Sequence, residues 1–336
     1  MPFCIPTCKK MISVHNLRKT YLRHKKAPGL KGLIKDLISR RYERVEALRG
    51  VSFEISPGEF VGYIGPNGAG KTTTMKILSG ILYPTDGEVN VLGFIPWERK
   101  KEYLRKITFV MGQKNQLWWD LPAYDSFKLL KEIYDIPEAQ FEKNLHELTE
   151  LLGVEYLINY PVRRLSLGER MKMELVASLL HEPEVIFLDE PTIGLDIVSQ
   201  EKIREFLKIY NREKKATIIL TSHYIRDIES VCERIILLHK GYILFDGNKN
   251  ELIEKFRKYR VINILFKKKI PENLGRYGEV ISVDELKVKI KANSGKVREV
   301  IKEISSKFEI LAMEIEEVSM EDIIKETFEE LLSEQT

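Results

Sequence analysis

Short apolar runs alternate with stretches of helical periodicity along most of the chain, from about residue 46 to about residue 252. Residues 60–64 form an apolar run typical of a strand, and a helical stretch follows Lys71. This alternation predicts a layered α/β domain with parallel strands, which we place at residues 11–252. Residues 1–10 precede the first predicted strand as a tail, to which we assign no function.

Two parts of this domain have a different pattern. Asp86 and Gly87 form a turn signal, and they predict a hairpin in a β subdomain. Residues 122–162 have few strand-forming residues and predict a helical subdomain within the α/β core. The apolar positions with helical spacing there are Phe127, Leu129, Leu130, Ile133, Leu145, Leu148, Leu151 and Leu152.

Residues 253–336 predict a separate small α+β domain. Apolar and lysine residues alternate at positions 286–291, as expected of a half-buried strand. One helical face follows at positions 297–304, then a strand at 310–315. Ser319 and Asp322 predict the start of a last helix.

A glycine-rich segment joins the predicted strand at residues 60–64 to the next helix. The segment consists of Gly65, Pro66, Asn67, Gly68, Ala69, Gly70, Lys71, Thr72 and Thr73. Its first eight residues match the pattern G-x-x-x-x-G-K-[ST], in which backbone N–H groups surround phosphates at a helix N-terminus. Lys71 would neutralise phosphate charge and Thr72 would offer its hydroxyl to magnesium. We therefore predict a nucleotide site.

A second apolar run, at residues 185–188, ends in the acidic pair Asp189 and Glu190. The run predicts a buried strand that ends at the same sheet edge as the phosphate-binding segment. Asp189 would hold magnesium through water, and Glu190 would polarise the water that attacks the γ-phosphate. A solvated turn is the alternative, but the apolar run before the pair disfavours it.

Residues 165–169, Leu-Ser-Leu-Gly-Glu, lie about 20 residues before Asp189 and resemble the signature sequence of ABC ATPases. The resemblance covers roughly residues 11–250 and is close to exporter cassettes of the daunorubicin-resistance type. It implies the fold of a P-loop NTPase ABC cassette, with a RecA-like core, an antiparallel β subdomain and a helical subdomain. It also implies that the chain binds ATP and Mg²⁺ and hydrolyses the ATP.

The same resemblance assigns roles to four further residues. Tyr21 resembles the aromatic residue on which adenine stacks, and Gln113 resembles the glutamine that contacts magnesium and the attacking water. His223 resembles the switch histidine that senses the γ-phosphate, although a histidine at a strand end is more often structural when seen alone. Asp196 resembles the aspartate that reaches across the cassette dimer.

The signature segment departs from the commonest family form at two positions. Ser166 and Gly168, which grip the γ-phosphate of the partner in this family, are intact, but Leu167 and Glu169 replace glycine and glutamine. Leu167 restricts the backbone and Glu169 places a negative charge near a phosphate site. We therefore expect a dimer that closes less tightly or hydrolyses ATP more slowly. Because both halves of the site occur in one chain, the resemblance implies a homodimer.

Composition and cysteine content indicate the class of protein and its cellular compartment. The chain is 43% hydrophobic and 31% charged, which indicates a soluble globular protein, and it has no run of about 18 apolar residues. Its start lacks a secretory signal. Cys4, Cys8 and Cys232 predict neither a disulfide framework nor a zinc site. The family resemblance, in addition, implies a peripheral protein on the cytoplasmic face of the cell membrane.

The first 49 residues carry an excess of about ten positive charges. Within them, residues 22–44 predict a basic amphipathic insertion, similar to insertions in polysaccharide-exporter cassettes. Its apolar stripe consists of Leu30, Leu33, Ile34, Leu37 and Ile38. The helix would either pack on the cassette or lie at the membrane surface or the substrate entry.

These features favour the ATP-hydrolysing subunit of an ABC exporter that works with a separate membrane permease. Trp118 and Trp119 lie where the family docks its permease. A soluble ABC ATPase acting on ribosomes or nucleic acid is the alternative, since the basic arm suits phosphates. Such proteins usually join two cassettes or insert a coiled coil, and this chain has neither, so nucleic acid is an unlikely partner. Glu190 and His223 disfavour a module without turnover, and the sequence does not indicate the cargo.

Overall fold

The computed structural model describes residues 10–24, 42–112, 114–222, 224–256 and 259–316, together with Met320 and Ile324. The chain divides into two compact units, with the boundary between Gly247 and Asn248. Each unit has its own sheet and helices.

The first unit contains the strands β1 (Ile12–His24), β2 (Tyr42–Ile55), β3 (Phe60–Ile64), β4 (Asp86–Val91), β5 (Ile107–Met111), β6 (Val185–Asp189), β7 (Thr217–Thr221), β8 (Arg234–His239) and β9 (Tyr242–Asn248), the last of which ends at the boundary. Its helices are α1 (Lys71–Leu78), α2 (Lys101–Leu104), α3 (Ala123–Tyr134), α4 (Glu138–Leu152), α5 (Leu167–Leu179), α6 (Ile197–Lys214) and α7 (Ile225–Val231).

A six-stranded sheet with the order β5-β6-β7-β3-β8-β9 forms the centre of this unit. The pairs from β5 to β8 are parallel. Every residue of β3, β6 and β7 is buried, which explains why these strands are continuous apolar runs. Because parallel strands end at one edge, the loops after β3, β6 and β7 meet there. The predicted α/β core is confirmed.

A second, antiparallel sheet has the order β2-β1-β4. Its buried side chains pack with Tyr63, Met75 and Tyr103 of the neighbouring elements. The predicted β subdomain is therefore present, but the predicted position of its turn is wrong. Asp86 pairs with Arg18 and begins β4, so the Asp86–Gly87 pair lies within a strand.

The two long strands of this sheet also correct the bounds of the predicted insertion at residues 22–44. Leu22 pairs with Arg44 and His24 with Tyr42, so both ends of that range are strand. Arg23 lies opposite Glu43, a cross-strand pair of opposite charge that supports the extension. The predicted amphipathic helix falls at residues 25–41, outside the described residues.

The helices α3 and α4 lie within residues 122–162, the range predicted for the helical subdomain, and α5 begins just beyond it. Phe127 of α3 and Phe141 of α4 are fully buried, and Leu145, Leu148 and Leu152 of α4 are buried as well. Leu129 and Ile133 of α3, which share the predicted helical spacing, are exposed. The structure contains no helix, within its described residues, that is long and apolar enough to cross a membrane.

The second unit contains α8 (Lys249–Phe256), β10 (Tyr259–Phe266), β11 (Glu279–Asp284), β12 (Lys287–Asn293), α9 (Val297–Lys307) and β13 (Ile310–Glu316). Its antiparallel sheet has the order β11-β12-β10-β13. Val297, Val300 and Ile304 of α9 are buried in its core. This arrangement agrees with the predicted α+β fold. The last helix, predicted to start at Ser319, lies outside the described residues except for Met320 and Ile324, which are helical and buried.

Candidate functional site

The phosphate loop, residues 65–72, joins β3 to α1 at the edge where the parallel strands end. A Cβ on Gly65 would lie only 2.1 Å from the carbonyl oxygen of Leu238 in β8. Gly70 has φ +112°, and a Cβ there would lie 2.6 Å from the carbonyl oxygen of Ala47. Both positions therefore require glycine. Pro66, Asn67 and Gly68, at the tip of the loop, are exposed, and Ala69 is buried.

Lys71 is the first residue of α1 and is only 5% exposed. Its Nζ donates to the carbonyl oxygens of Gly65, at 2.7 Å, and Pro66, at 3.2 Å. Burial lowers the pKa of Lys71, while the negative charges of Glu190 and Asp189 oppose that shift. The ammonium group is therefore held at the mouth of the loop, beside the acidic pair.

Asp189, at the end of β6, is held by two hydroxyl groups. Thr72 Oγ1 donates to Asp189 Oδ2 at 2.8 Å, and Thr221 Oγ1 donates to Asp189 Oδ1 at 2.6 Å. Thr221 ends β7, the strand between β3 and β6, so it bridges the two halves of the predicted site. The structure therefore places Thr72 and Asp189 side by side.

These atoms fit a magnesium ion. The donors are a hydroxyl and a carboxylate, which a hard cation prefers, and Mg²⁺ usually completes its shell with phosphate oxygens and water. Within the part of the chain that the structure describes, no group of three or more His, Cys, Asp or Glu residues could hold a metal by itself. A cation at Thr72 and Asp189 would therefore depend on the nucleotide.

Glu190 follows Asp189 directly and has a left-handed backbone, with φ +56°. Its N–H donates to Thr221, to the carbonyl oxygen at 3.0 Å and to Oγ1 at 3.2 Å. Gly112 packs against it so closely that a Cβ there would lie 2.0 Å from the Glu190 carbonyl oxygen. Backbone contacts from two neighbouring strands thus hold this unusual conformation.

Tyr21 lies on β1, 38% exposed, near the first turn of α1. Its hydroxyl is 3.4 Å from Thr73 Oγ1, and Lys19 Nζ lies 5.3 Å from the centre of its ring. An exposed ring next to the phosphate loop is available for stacking on a base. Gln113, predicted to contact magnesium and the attacking water, and His223, predicted to sense the γ-phosphate, lie outside the described residues.

The signature segment forms a separate group at the N-terminus of α5. Ser166 caps this helix, and its Oγ accepts from the N–H of Glu169 at 3.3 Å. Glu169 Oε2 in turn accepts from the Ser166 N–H and from Ser166 Oγ, both at 2.8 Å. Glu169 is therefore the second half of a capping box, in addition to being a negative charge near the predicted phosphate contact.

Gly168 and Asp196 are neighbours in this second group. A Cβ on Gly168 would lie 2.3 Å from Ser199 Oγ and 3.5 Å from Asp196 Oδ2. Asp196 caps α6 and accepts from the N–H and Oγ of Ser199 at 2.9 and 2.7 Å, and these bonds lower its pKa. Leu167, 39% exposed, lies close to Gly194. The signature residues and Asp196 thus form one surface.

Two buried carboxylates that support the site, Glu174 and Asp227, were not predicted from the sequence. Glu174 of α5 accepts from the N–H groups of Gln116 and Leu117, and burial raises its pKa while these bonds oppose the shift. Asp227 of α7 binds Arg204 of α6 and two hydroxyl groups. Both carboxylates interrupt otherwise apolar helix faces, and that interruption is the signal that could have identified them.

A phosphate loop at a helix N-terminus, with a magnesium-type donor pair and a further carboxylate at the same edge of a parallel sheet, defines a P-loop nucleotide hydrolase. A family model described as ABC transporter matches residues 48–193. The ABC transporter ATP-binding protein NatA of Bacillus subtilis is 32% identical over 69% of this chain and 95% of its own length. The bacitracin transport ATP-binding protein BcrA of Bacillus licheniformis is 29% identical over 66% of this chain and 71% of its length.

A solved structure described as a dimeric post-hydrolysis state of an ATP-binding cassette bound to ADP and Pi is 28% identical. It aligns with a TM-score of 0.58 over 71% of this chain and 98% of that chain. Together with the sequence relatives, this places the chain in the family of ABC transporter ATP-binding subunits. The protein is an ATPase of that family.

Proposed function

We propose that this chain is the ATP-hydrolysing subunit of an exporter, and that ATP-driven pairing of two copies moves a separate membrane permease. The observation that supports the proposal most strongly is the pairing of Thr72 with Asp189 beside Lys71. Lys71 and Thr72 at the start of α1 are suited to phosphate and magnesium, and they lie beside Asp189 at the end of β6.

In this proposal the phosphate loop binds the nucleotide through its backbone N–H groups and the N-terminus of α1. Lys71 exchanges its bonds with Gly65 and Pro66 for bonds with phosphate oxygens. Thr72 and, through water, Asp189 would hold Mg²⁺, which would supply positive charge to neutralise the phosphates. Tyr21 stacks on the adenine ring.

Glu190 serves as the residue that orients and polarises the attacking water. Its position directly after the magnesium-holding Asp189 supports this role, as does the backbone anchoring at Thr221. As part of the proposal, Gln113 retains its predicted contacts with magnesium and the attacking water, and His223 retains its predicted role at the γ-phosphate. The chain's own groups then bind the phosphates, hold the water and stabilise the charge.

Dimer formation is supported by the exposure of the signature surface. Ser166 and Leu167 are exposed although they begin a helix whose later residues are largely buried. The dimeric cassette with ADP and Pi is consistent with such an arrangement. ATP would bind the closed pair better than the open one, so binding would close it and hydrolysis would release it.

A groove on the first unit supports a permease as the partner. Its volume is about 470 Å³, and it lies between the core and the helical subdomain. Ile81, Leu104, Phe109 and Ile133 provide an apolar floor, and Arg99 and Lys101 provide a basic rim. A short amphipathic helix with acidic residues, from the cytoplasmic side of a membrane protein, fits this combination.

The names of the relatives support the transport class and an exporter in particular. Besides the bacitracin transport protein, a relative named linearmycin resistance ATP-binding protein LnrL of Bacillus subtilis is 30% identical over 72% of its length. Neither name favours an action on ribosomes or nucleic acid. As part of the proposal, the protein works at the cytoplasmic face of the membrane.

The first test compares ATP turnover and membrane partners of the wild type and Glu190→Gln. We expect the substitution to lower turnover by at least about 100-fold, because it removes a general base. The same variant should retain ATP and co-purify from membranes with a protein that spans the membrane. Recovery with ribosomes or nucleic acid instead would contradict the proposal.

The second test addresses the groove. Ile133 is 55% exposed, and Ile133→Glu places a charge in the apolar floor. We expect it to abolish co-purification of the permease while ATP binding is unchanged. Val283→Glu, at a similarly exposed apolar residue of the second unit, is the matched control. If both variants lost co-purification of the permease equally, the groove would not be the permease-binding site.

A further inference from the structure

A buried polar cluster behind the phosphate site is centred on Asp227. The residue is 1% exposed, and its carboxylate has partners on both oxygens. Asp227 Oδ1 accepts from Arg204 Nη1 at 2.8 Å, and Oδ2 accepts from Ser222 Oγ at 2.6 Å. Thr192 Oγ1 also donates to Oδ2. The charge is therefore paired and fully hydrogen-bonded.

The donors come from three different parts of the first unit. Thr192 lies in the loop after β6, two residues beyond Glu190, and Ser222 directly follows β7. Arg204 lies in the middle of α6, which begins after Asp196. A single carboxylate therefore joins the loop of the proposed catalytic base, the loop after β7 and the helix that Asp196 caps.

The bonds at Ser222 and Arg204 leave little freedom in this cluster. Ser222 Oγ donates to Asp227 and accepts from the N–H of Tyr224 at 3.0 Å. Arg204 is held from its other side, because Nη2 donates to Glu201 at 3.1 Å. Replacing one partner of a buried charge pair leaves the other uncompensated, so the loops would shift rather than rebond in place.

The backbone at Glu190 adds a reason for such a clamp. Its left-handed conformation is uncommon for a residue with a side chain and needs support from its surroundings. Thr221 anchors the N–H of Glu190, and Thr192 anchors the chain two residues later. Glu190 thus lies between two fixed points, one of which depends on Asp227.

We propose that Asp227 is a positioning residue for ATP hydrolysis, which acts through Thr192 and Ser222 to hold Glu190 and the loop after β7 in place. This inference rests on the proposed role of Glu190. Misplacing a catalytic group by about 1 Å can lower a rate by about 100-fold. Groups that bind the nucleotide, such as Lys71 and Thr72, make no contact with Asp227 among the described hydrogen bonds.

The test measures kcat, KM for ATP, nucleotide affinity and Tm for Asp227→Asn. The variant keeps the shape of the side chain but presents an amide N–H₂ to groups that are themselves donors. We expect kcat to fall by about tenfold to 100-fold, with KM and nucleotide affinity within about twofold of wild type. Asp246→Asn is the matched control, since Asp246 also pairs with an arginine, Arg234, through two bonds. It should leave kcat unchanged.

A second pair of variants keeps the inference testable if Asp227→Asn does not fold. Thr192→Val removes the hydroxyl that binds Asp227 and should lower kcat in the same way, whereas Thr192→Ser retains it and should not. An unchanged kcat in Thr192→Val, or equal falls in kcat and nucleotide affinity with a lower Tm, would overturn the inference. Full turnover in Glu190→Gln would instead overturn the proposed function.

Discussion

Two helix N-termini of the first unit are proposed to bind phosphate, and they differ in whether side chains already cap their first N–H groups. In α1, which follows the phosphate loop, no side chain caps the first turn, and the residue before it is Gly70. In α5, Ser166 and the carboxylate of Glu169 already bind the first N–H groups and each other. One terminus is open to an anion, whereas at the other an anion must compete with a carboxylate.

The difference extends to the surroundings of the two groups. Lys71 and Asp189 are at most 9% exposed and are held by residues of three neighbouring strands and loops. Ser166 and Asp196 are exposed, and each bonds to a residue three positions later in its own helix. The phosphate-loop half is therefore built by the core sheet, whereas the signature half is built by local capping.

The largest expected effect comes from Gly65→Ala, which breaks the half built by the core. The new methyl group would lie 2.1 Å from a backbone oxygen of β8, which cannot move without disturbing the sheet. We expect nucleotide affinity to fall by more than about 100-fold. A fluorescent ATP analogue measures it, with Gly275→Ala as the control, since a Cβ there meets nothing within 4 Å. If Gly65→Ala retained its nucleotide affinity, the phosphate loop would be able to shift and make room for the methyl group.

Gly168→Ala should produce a smaller loss in the signature half. Its methyl group would lie 2.3 Å from Ser199 Oγ and would displace the surface shared with Asp196. We expect turnover to fall by about tenfold, with nucleotide affinity of the monomer within twofold of wild type. Combining it with Ser199→Gly removes the atom in conflict and should restore part of the turnover. A fall in monomer affinity would contradict the separation of the two halves.

Glu169→Gln tests whether the capping carboxylate opposes the pairing of two copies. In a Glu190→Gln background, we expect the dimer with ATP to tighten by about twofold to tenfold, because Ser166 gives up a neutral partner more readily than a charged one. Analytical ultracentrifugation with ATP and magnesium measures the dimer. Glu169→Ala, which loses the half of the capping box that accepts from the Ser166 N–H, should lower the stability of the fold. A weaker dimer with Glu169→Gln would contradict the competition.

The other end of the signature helix provides a prediction about the stability of the fold rather than about turnover or pairing. Just beyond α5, His181 stacks on Tyr134 with ring centres 3.8 Å apart, and Nε2 donates to the carbonyl oxygen of Ile107. Burial lowers the pKa of His181 to about 4. Because the unfolded chain takes up this proton near pH 6.5, its contribution to stability is complete above that pH and is lost as pH falls towards 4.

We therefore expect His181→Phe to flatten the dependence of the free energy of unfolding on pH between 6.5 and 4. The slope removed is at most about 1.4 kcal/mol per pH unit. Urea unfolding at several pH values measures it. His146→Phe is the control, since the side chain of His146 is 69% exposed. If wild type and His181→Phe gave the same dependence of the free energy of unfolding on pH, burial would not lower the pKa of His181 in the folded protein.

Much of the site could be predicted because its chemistry lies in contiguous residues. The phosphate loop, the acidic pair and the signature segment each occupy fewer than ten positions, and the flanking apolar runs indicate the strands that carry them. The capping role of Glu169 could also have been predicted, because Ser-x-x-Glu at the start of a helix is a local sequence pattern. From the sequence, Glu169 was interpreted only as a negative charge near the predicted phosphate site.

Other features depended on residues far apart in the chain. The extension of β1 to His24 arises from pairing with Tyr42 and Glu43 across the intervening residues, which no single strand pattern shows. The bridge from Thr221 to Asp189 spans 32 positions, and that from Thr192 to Asp227 spans 35. The periodicity of apolar residues predicts which face of a helix is buried, but it does not predict which distant polar group will form a hydrogen bond with a residue on that face.

The sequence by itself determined the class of protein, its nucleotide chemistry and the order of its α/β elements, because backbone conformation and phosphate binding at a glycine-rich loop are local properties. Only the tertiary structure decided which hydroxyl groups hold Asp189, why Gly65 and Gly112 admit no side chain, and which carboxylate joins the loops around Glu190. Those outcomes depend on the order of strands in the sheet and on close approach between them, which one-dimensional patterns do not encode.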